Sequence, residues 1–236
     1  MAPRLRRFLA ARLDRASYLG LHLTVGLGVA LGGLWAFGAL LEEVLDAERL
    51  VRWDEAASRW VHAHTSPAGL RVMHAVTTLG APTTMAALAL GGAVVLFRQR
   101  RRTTLVTWLA AFGGGMLLDA LLKYAVRRPR PPFGARYLHG HSYSFPSGHA
   151  MGAIVGYAML LHLLRGRRTW RRATAVAATA AAAALVLFVG VSRVYLGVHY
   201  PSDVVGGLLA GAAWLAVCLT GESIAEGRAG GDVSRQ

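Results

Sequence analysis

The sequence predicts an all-α, polytopic membrane protein with six transmembrane helices, and three observations predict it. Hydrophobic residues make up 54% of the 236 positions and charged residues only 16%, against about 25% charged in a soluble domain. Several stretches with little or no charge approach the ~20 residues that an apolar helix needs to cross a bilayer. Clusters of arginine alternate with those stretches. The same composition excludes a disordered chain and a water-soluble globule. The single cysteine, Cys218, excludes an internal disulfide and a thiolate metal cluster. A formal net charge of +14 in so apolar a chain points to basic loops beside a bilayer rather than to nucleic acid.

Residues 1–18 read as a cytoplasmic amphipathic N-terminus, with Leu5, Phe8, Leu9 and Leu13 on one face of a basic helix lying on the membrane surface. The first span, Leu19–Leu41, has His22 as its only titratable group. Its apolar run exceeds the ~7–15-residue core of a signal peptide, so it is read as retained. Beyond it, Leu50, Trp53, Ala57, Trp60 and Val61 share a face of an outer interfacial helix that anchors at the membrane surface. Thr77–Phe97 is uncharged, and Thr103–Leu122 carries only Asp119. Ser147–Leu164 contains His149 and His162, while Ala173–Val191 and Val204–Thr220 are uncharged. Residues 19–220 form one membrane domain, and 221–236 a loose, polar cytoplasmic tail.

Orientation follows from the arginines. Arg4, Arg6, Arg7, Arg12 and Arg15 precede the first span, Arg98, Arg100, Arg101 and Arg102 follow the second, and Arg165, Arg167, Arg168, Arg171 and Arg172 follow the fourth. The positive-inside rule puts all three groups, and both termini, in the cytoplasm. The first external segment is instead acidic, with Glu42, Glu43, Asp46, Glu48, Asp54 and Glu55. One external stretch breaks the rule: Lys123, Arg127, Arg128, Arg130 and Arg136 cluster there.

That exception begins the chemistry. Lys123 is the only lysine among 26 basic residues, which suggests a need for a compact ammonium. Pro129, Pro131 and Pro132 hold Arg130 on a stiff extended segment. A second cluster, Pro146-Ser147-Gly148-His149, opens the fourth span; a helix start offers unpaired amides to an anion, and Gly148 lets a ligand approach the backbone. The third runs Ser192-Arg193 to His199 and Asp203. Asp203 can hold one imidazole nitrogen protonated and leave the other free to attack. Any one cluster is explained by an interfacial cuff, an ordinary helix cap or an Arg193–Asp203 salt bridge. Together, on one face, they supply three cations, a helix N-terminus, two histidines and an aspartate. Phosphoryl transfer needs that inventory.

Lys123-x6-Arg130-Pro131, Pro146-Ser147-Gly148-His149 and Ser192-Arg193-x5-His199-x3-Asp203 together resemble the type 2 phosphatidic acid phosphatase (PAP2) superfamily, in residue type, order and spacing. The resemblance implies a metal-independent, cofactor-free hydrolase of the lipid phosphatase branch. In it His199 is the nucleophile that becomes a phosphohistidine, Asp203 orients it, and His149 is the general acid and then base. Lys123, Arg130, Ser147, Gly148 and Arg193 bind the phosphate. The implied partners are the bilayer and a lipid substrate: an isoprenoid pyrophosphate, phosphatidic acid or a phosphatidylglycerol phosphate. The active site is expected on the extracytoplasmic face of a cell-membrane protein. A lipid phosphotransferase and a non-enzymatic anion or lipid transporter are the alternatives; the transporter gives no reason for the His199–Asp203 pair. A vanadium-dependent haloperoxidase shares the motifs, but six spans favour a lipid substrate.

Several residues stand outside this assignment. Asp119, four before Lys123, reads as its partner. Arg127 and Arg128 reach a second phosphate or headgroups. His62-x-His64 and His139-x-His141 resemble half of a metal site but lack further ligands nearby. Gly113, Gly114 and Gly115 allow close helix packing in lipid.

Overall fold

The computed structural model describes residues 18–46, 48–134, 137, 143–166 and 169–233. The amphipathic N-terminus expected at 1–18 and the His139-x-His141 pair therefore lie outside the described residues, apart from Tyr18. All regular structure among the described residues is helical. Five helical stretches are long and apolar enough to cross a membrane: Thr24–Leu45, Pro67–Arg98, Arg102–Val126, Arg172–Tyr195 and Pro201–Gly227. The expected fourth span is the exception. It forms a helix, Gly148–Arg165, of 18 residues, yet it is not among the five.

The reason is its position. This helix packs against four others and so meets protein where its neighbours meet lipid. Ala150, Met151, Ala153, Val155, Gly156 and Met159 are buried along it. Covered on those sides, it keeps histidines that a lipid-facing helix would expose at high cost.

In chain order, α1 (Tyr18–Leu45) is followed by the short α2 (Arg49–Ala63). The buried residues of α2 are the polar Asp54 and Ser58, while Trp53 and Trp60, like Arg49, Arg52, Glu55 and Arg59, are exposed. Of the anchoring face expected from the sequence, the two tryptophans point outward, while Leu50, Ala57 and Val61 are half-buried and Leu50 packs against the core. Next, α3 (Pro67–Thr78) and α4 (Pro82–Arg98) replace the single span expected from Thr77. Pro82 disfavours helical backbone at Ala81, which is extended with ψ 149°. Thr77 is consequently the buried end of one helix rather than the start of another.

Helix α5 (Arg102–Leu109) passes through a π-helical turn, Ala110–Gly114, into α6 (Gly115–Val126). The turn leaves carbonyls that the Trp214 indole covers, donating to Ala110 O and Ala111 O at 3.2 Å each. A side chain on Gly114 would overlap that indole, and one on Gly115 would touch it, so these two glycines do provide the close packing; Gly113 packs against nothing within 4 Å. The order closes with α7 (Gly148–Arg165), α8 (Arg172–Tyr195) and α9 (Pro201–Val233). The expected loose tail instead continues α9 through Val233.

Apolar packing holds the bundle. One cluster joins Phe37, Val44, Phe145, Met151 and Ala210, and a second joins Leu96, Trp108, Ala111, Val155 and Met159. Small residues let α1 approach α9, where Gly33 faces Ala213 and Gly26 faces Thr220. Without a hydrophobic driving force in lipid, such close contacts supply the association energy.

Candidate active site

Four helix ends meet at one end of the bundle: the end of α6, the start of α7, the end of α8 and the start of α9. Arg127, in the left-handed region at φ 53°, closes α6, and its Nε donates to Tyr124 O at 2.9 Å. The prolines that follow keep the chain extended. It is clamped to the returning chain where Ser144 N donates to Arg128 O at 2.9 Å and Ser144 Oγ to Pro129 O at 3.0 Å. The second and third motifs are joined by backbone, since Ser147 N donates to Asp203 O at 2.8 Å. Gly207 permits that approach, because a Cβ there would lie 2.5 Å from Ser147 O.

His199 lies at the centre, 2% exposed. Its Nε2 is 3.0 Å from Arg130 Nη1. A guanidinium only donates, so Nε2 accepts and the ring proton belongs on Nδ1. Nδ1 faces Asp203 Oδ2 at 3.4 Å, an ion-pair distance rather than a formed hydrogen bond. Burial, then the charges of Arg130, Arg193 and Lys123, push the His199 pKa well below that of an ordinary imidazole. The ring is neutral, as a nucleophile must be.

The expected cations converge here. Lys123 Nζ donates to Asp119 Oδ1 at 2.5 Å and to Pro146 O at 2.6 Å, so Asp119 is its partner. Arg130 Nη1 also donates to Val198 O at 2.6 Å, and burial lowers the Arg130 pKa. Arg193 Nη1 donates to Thr77 Oγ1 at 2.8 Å; its Nε and the hydroxyl of Ser147 are buried with no protein partner. Such orphaned polar groups are rare in folded proteins. His149, in the first turn of α7, is within electrostatic range of His199, Arg193, Arg130 and Lys123. Gly148 also makes room for Asp119, since a Cβ there would lie 2.9 Å from Asp119 Oδ2.

Two of the alternative readings fall away. No Arg193–Asp203 salt bridge forms; Asp203 Oδ1 instead accepts from Arg128 Nη1 at 2.7 Å. Arg128 is therefore not a surface contact for headgroups. It is 7% exposed, lies over the Tyr200 ring at 4.4 Å, and donates through Nη2 to Asp54 Oδ2 at 2.8 Å. Burial opposes its charge, yet Asp203 and Asp54 more than offset that and raise its pKa.

Sequence reading missed Asp54, Ser202, Ser144 and Thr77. Asp54 and Ser58, four residues apart, share one face of α2 and are both buried. Elsewhere, His62 stacks on Phe133 at 4.4 Å and His64 Nδ1 contacts Trp60 O at 2.8 Å. Among the described residues no group of three or more His, Cys, Asp or Glu could hold a metal ion.

Comparison with known proteins points the same way. The family model described as the PAP2 superfamily matches residues 104–223. Phosphatidylglycerophosphatase B of Bacillus subtilis (strain 168) is 32% identical over 178 residues, spanning 75% of this chain and 87% of that protein. Decaprenylphosphoryl-5-phosphoribose phosphatase of Mycobacterium tuberculosis (strain ATCC 25618 / H37Rv) is 38% identical over 131 residues, spanning 53% and 64% respectively. A crystal structure of a transmembrane PAP2-type phosphatidylglycerolphosphate phosphatase from Bacillus subtilis superposes with a TM-score of 0.72 at 29% identity, covering 80% of this chain and 94% of that one.

Proposed function

The chain belongs to the PAP2 superfamily, and on that premise we propose that it is an integral-membrane lipid phosphate phosphatase working through a phosphohistidine on His199. The observation that carries this reading is the state of His199: neutral, Nε2 unprotonated, Nδ1 toward Asp203, and ringed by Arg130, Arg193 and Lys123.

In the first step the Nε2 lone pair attacks phosphorus and the bond to the leaving oxygen breaks. Arg130 leaves Nε2 to pair with a phosphoryl oxygen, which frees the attacking lone pair. Lys123, Arg193, the Ser147 hydroxyl and the Gly148 amide take the remaining charge. Fixed donors of this kind stabilise a transition state without reorganising. His149 gives its proton to the leaving alcohol or phosphate. In the second step neutral His149 takes a proton from water, the oxygen attacks the phosphohistidine, and inorganic phosphate departs. Asp203 stabilises the imidazolium throughout.

The finer assignments follow from charge. With Gly148–Arg165 counted as a span, the helices number six, the arginine-rich ends are cytoplasmic, both termini lie there, and the site opens on the extracytoplasmic face. The substrate is a lipid carrying a terminal phosphate or pyrophosphate.

The test is phosphate release by purified protein from phosphatidylglycerol phosphate, phosphatidic acid and an isoprenoid pyrophosphate, in excess EDTA. Release from at least one, inhibited by vanadate, is expected. Loss of all activity in EDTA, restored by Mg²⁺, would reject the metal-free site. Turnover only with an added alcohol acceptor would indicate a phosphotransferase.

A further inference from the structure

The buried pair on the far side of Asp203 has no part in the steps above. Asp54 is fully buried, and a buried carboxylate is costly unless every lone pair is used. Here both oxygens are used. Oδ1 accepts from Ser202 N at 3.1 Å, and Oδ2 accepts from Arg128 Nη2 at 2.8 Å and from the Ser202 hydroxyl. Arg128 spends its other terminal nitrogen on Asp203 Oδ1 at 2.7 Å and on Ser202 Oγ at 2.8 Å. The guanidinium is planar and rigid, so a plane fixed by Asp54 and by the Tyr200 ring fixes where Asp203 Oδ1 must lie. Asp203 Oδ2 then has one direction left, between Tyr200 N at 2.8 Å and His199 Nδ1 at 3.4 Å.

We propose that Asp54, acting through Arg128, is a positioning residue that sets the Asp203 carboxylate against His199. This rests on the reading of His199 as nucleophile. Asp54 comes from α2, a surface helix far from the motifs in sequence, so the orientation of the nucleophile is set partly from outside the motif-bearing helices. A purely structural role, tying α2 to the bundle, would use the same contacts. It differs in consequence: loss of a tie lowers the fraction of working molecules, whereas loss of positioning lowers the rate at which each one reacts.

The experiment is rapid-quench single turnover with a ³²P-labelled lipid phosphate and the full chain in detergent, comparing wild type, Asp54→Asn and Arg128→Lys. Asparagine keeps size and an acceptor but loses charge; lysine keeps charge but cannot span two carboxylates. Label transfer to His199 should slow about 10²-fold in each variant, as for displacement of a reacting group by ~1 Å. Phosphoenzyme per folded molecule and KM should stay close to wild type. A wild-type rate constant in the variants, with or without a reduced amplitude, would overturn the proposal. If Asp54→Asn does not fold, Arg128→Lys decides by the same criterion. Wild-type protein that carries no label on His199 would overturn the nucleophile assignment and this proposal with it; labelled wild type beside unaffected variants overturns this proposal alone.

Discussion

Among the described residues, two histidines lie within ion-pair distance of a carboxylate. At one end His199 Nδ1 faces Asp203 at 3.4 Å. In another part of the bundle, His162 Nε2 lies 2.9 Å from Glu222 Oε2, with Thr104 and Arg101 beside the carboxylate. By distance alone the second pair is the better formed. Yet His162 is 36% exposed and His199 is 2%. Lys123, Arg130 and Arg193 act together on His199, and the Ser147 hydroxyl and Arg193 Nε of the same site are buried without a protein partner. A histidine beside a carboxylate is common polar packing. It becomes a candidate phosphoryl-transfer site when several cations converge on it.

The sharpest way to break that contrast is to remove each histidine. His199→Ala should abolish turnover and every acid-labile phosphoenzyme. His149→Ala should still be labelled by an aryl phosphate, whose leaving group needs no proton, and should then lose the label slowly. Peptide mapping of quenched enzyme separates the two, and label on His149 would reverse their roles.

Next come the cations. Arg130→Ala or Arg193→Ala should depress turnover by ~10²–10³, the usual cost of one preorganised charge stabiliser, measured as phosphate release under saturating lipid. A smaller change is expected in pH dependence. Burial and then the neighbouring cations hold His199 neutral, so protonation of His199 should cut kcat/KM only at pH values below those that protonate an ordinary imidazole. Of the charged or titratable groups acting on it, Arg130 and Lys123 come from the α6 side, His149 from α7, Arg193 from α8 and Asp203 from α9. Removing Arg193 takes away one repelling cation, so the acidic limb of the Arg193→Ala profile should move upward in pH.

The smallest effect belongs to the second pair. His162→Ala or Glu222→Gln should leave turnover per folded molecule within about twofold while lowering the melting temperature, since these groups serve packing. A large loss of kcat in either would mean that the two ends of the bundle are coupled.

What the sequence could and could not reveal follows the range of the contacts. Lys123, Arg130, Ser147, His149, Arg193, His199 and Asp203 sit in short motifs whose spacing is itself the signal, and the apolar stretches marked most helices. Arg127 and Arg128 are adjacent and chemically identical in the sequence. One caps a helix at φ 53°, while the other is buried between two aspartates; only the left-handed turn separates their fates. Asp54 was hidden for another reason. Its partners lie 74 and 148 residues away, and an acidic residue on an amphipathic helix reads as the solvated side. The helix instead buries Asp54 and Ser58 and turns its two tryptophans outward.

The π-helical turn at Ala110–Gly114 bears on how lineages of this chain can change length. Such a turn stores one residue more than an α-helix of equal rise, while the flanking helices keep their faces. Gly113 is the natural surplus, because no atom lies within 4 Å of the place its side chain would take. A deletion there would relax the span into regular helix with Asp119 and Lys123 still turned toward Pro146, at the expense of the acceptors that Trp214 now covers. A deletion at Leu121, by contrast, would rotate Lys123 by about 100° relative to Asp119 and carry the ammonium away from Pro146 O. The turn is therefore a point where a codon can be gained or lost without moving Lys123, and it lies upstream of all three motifs.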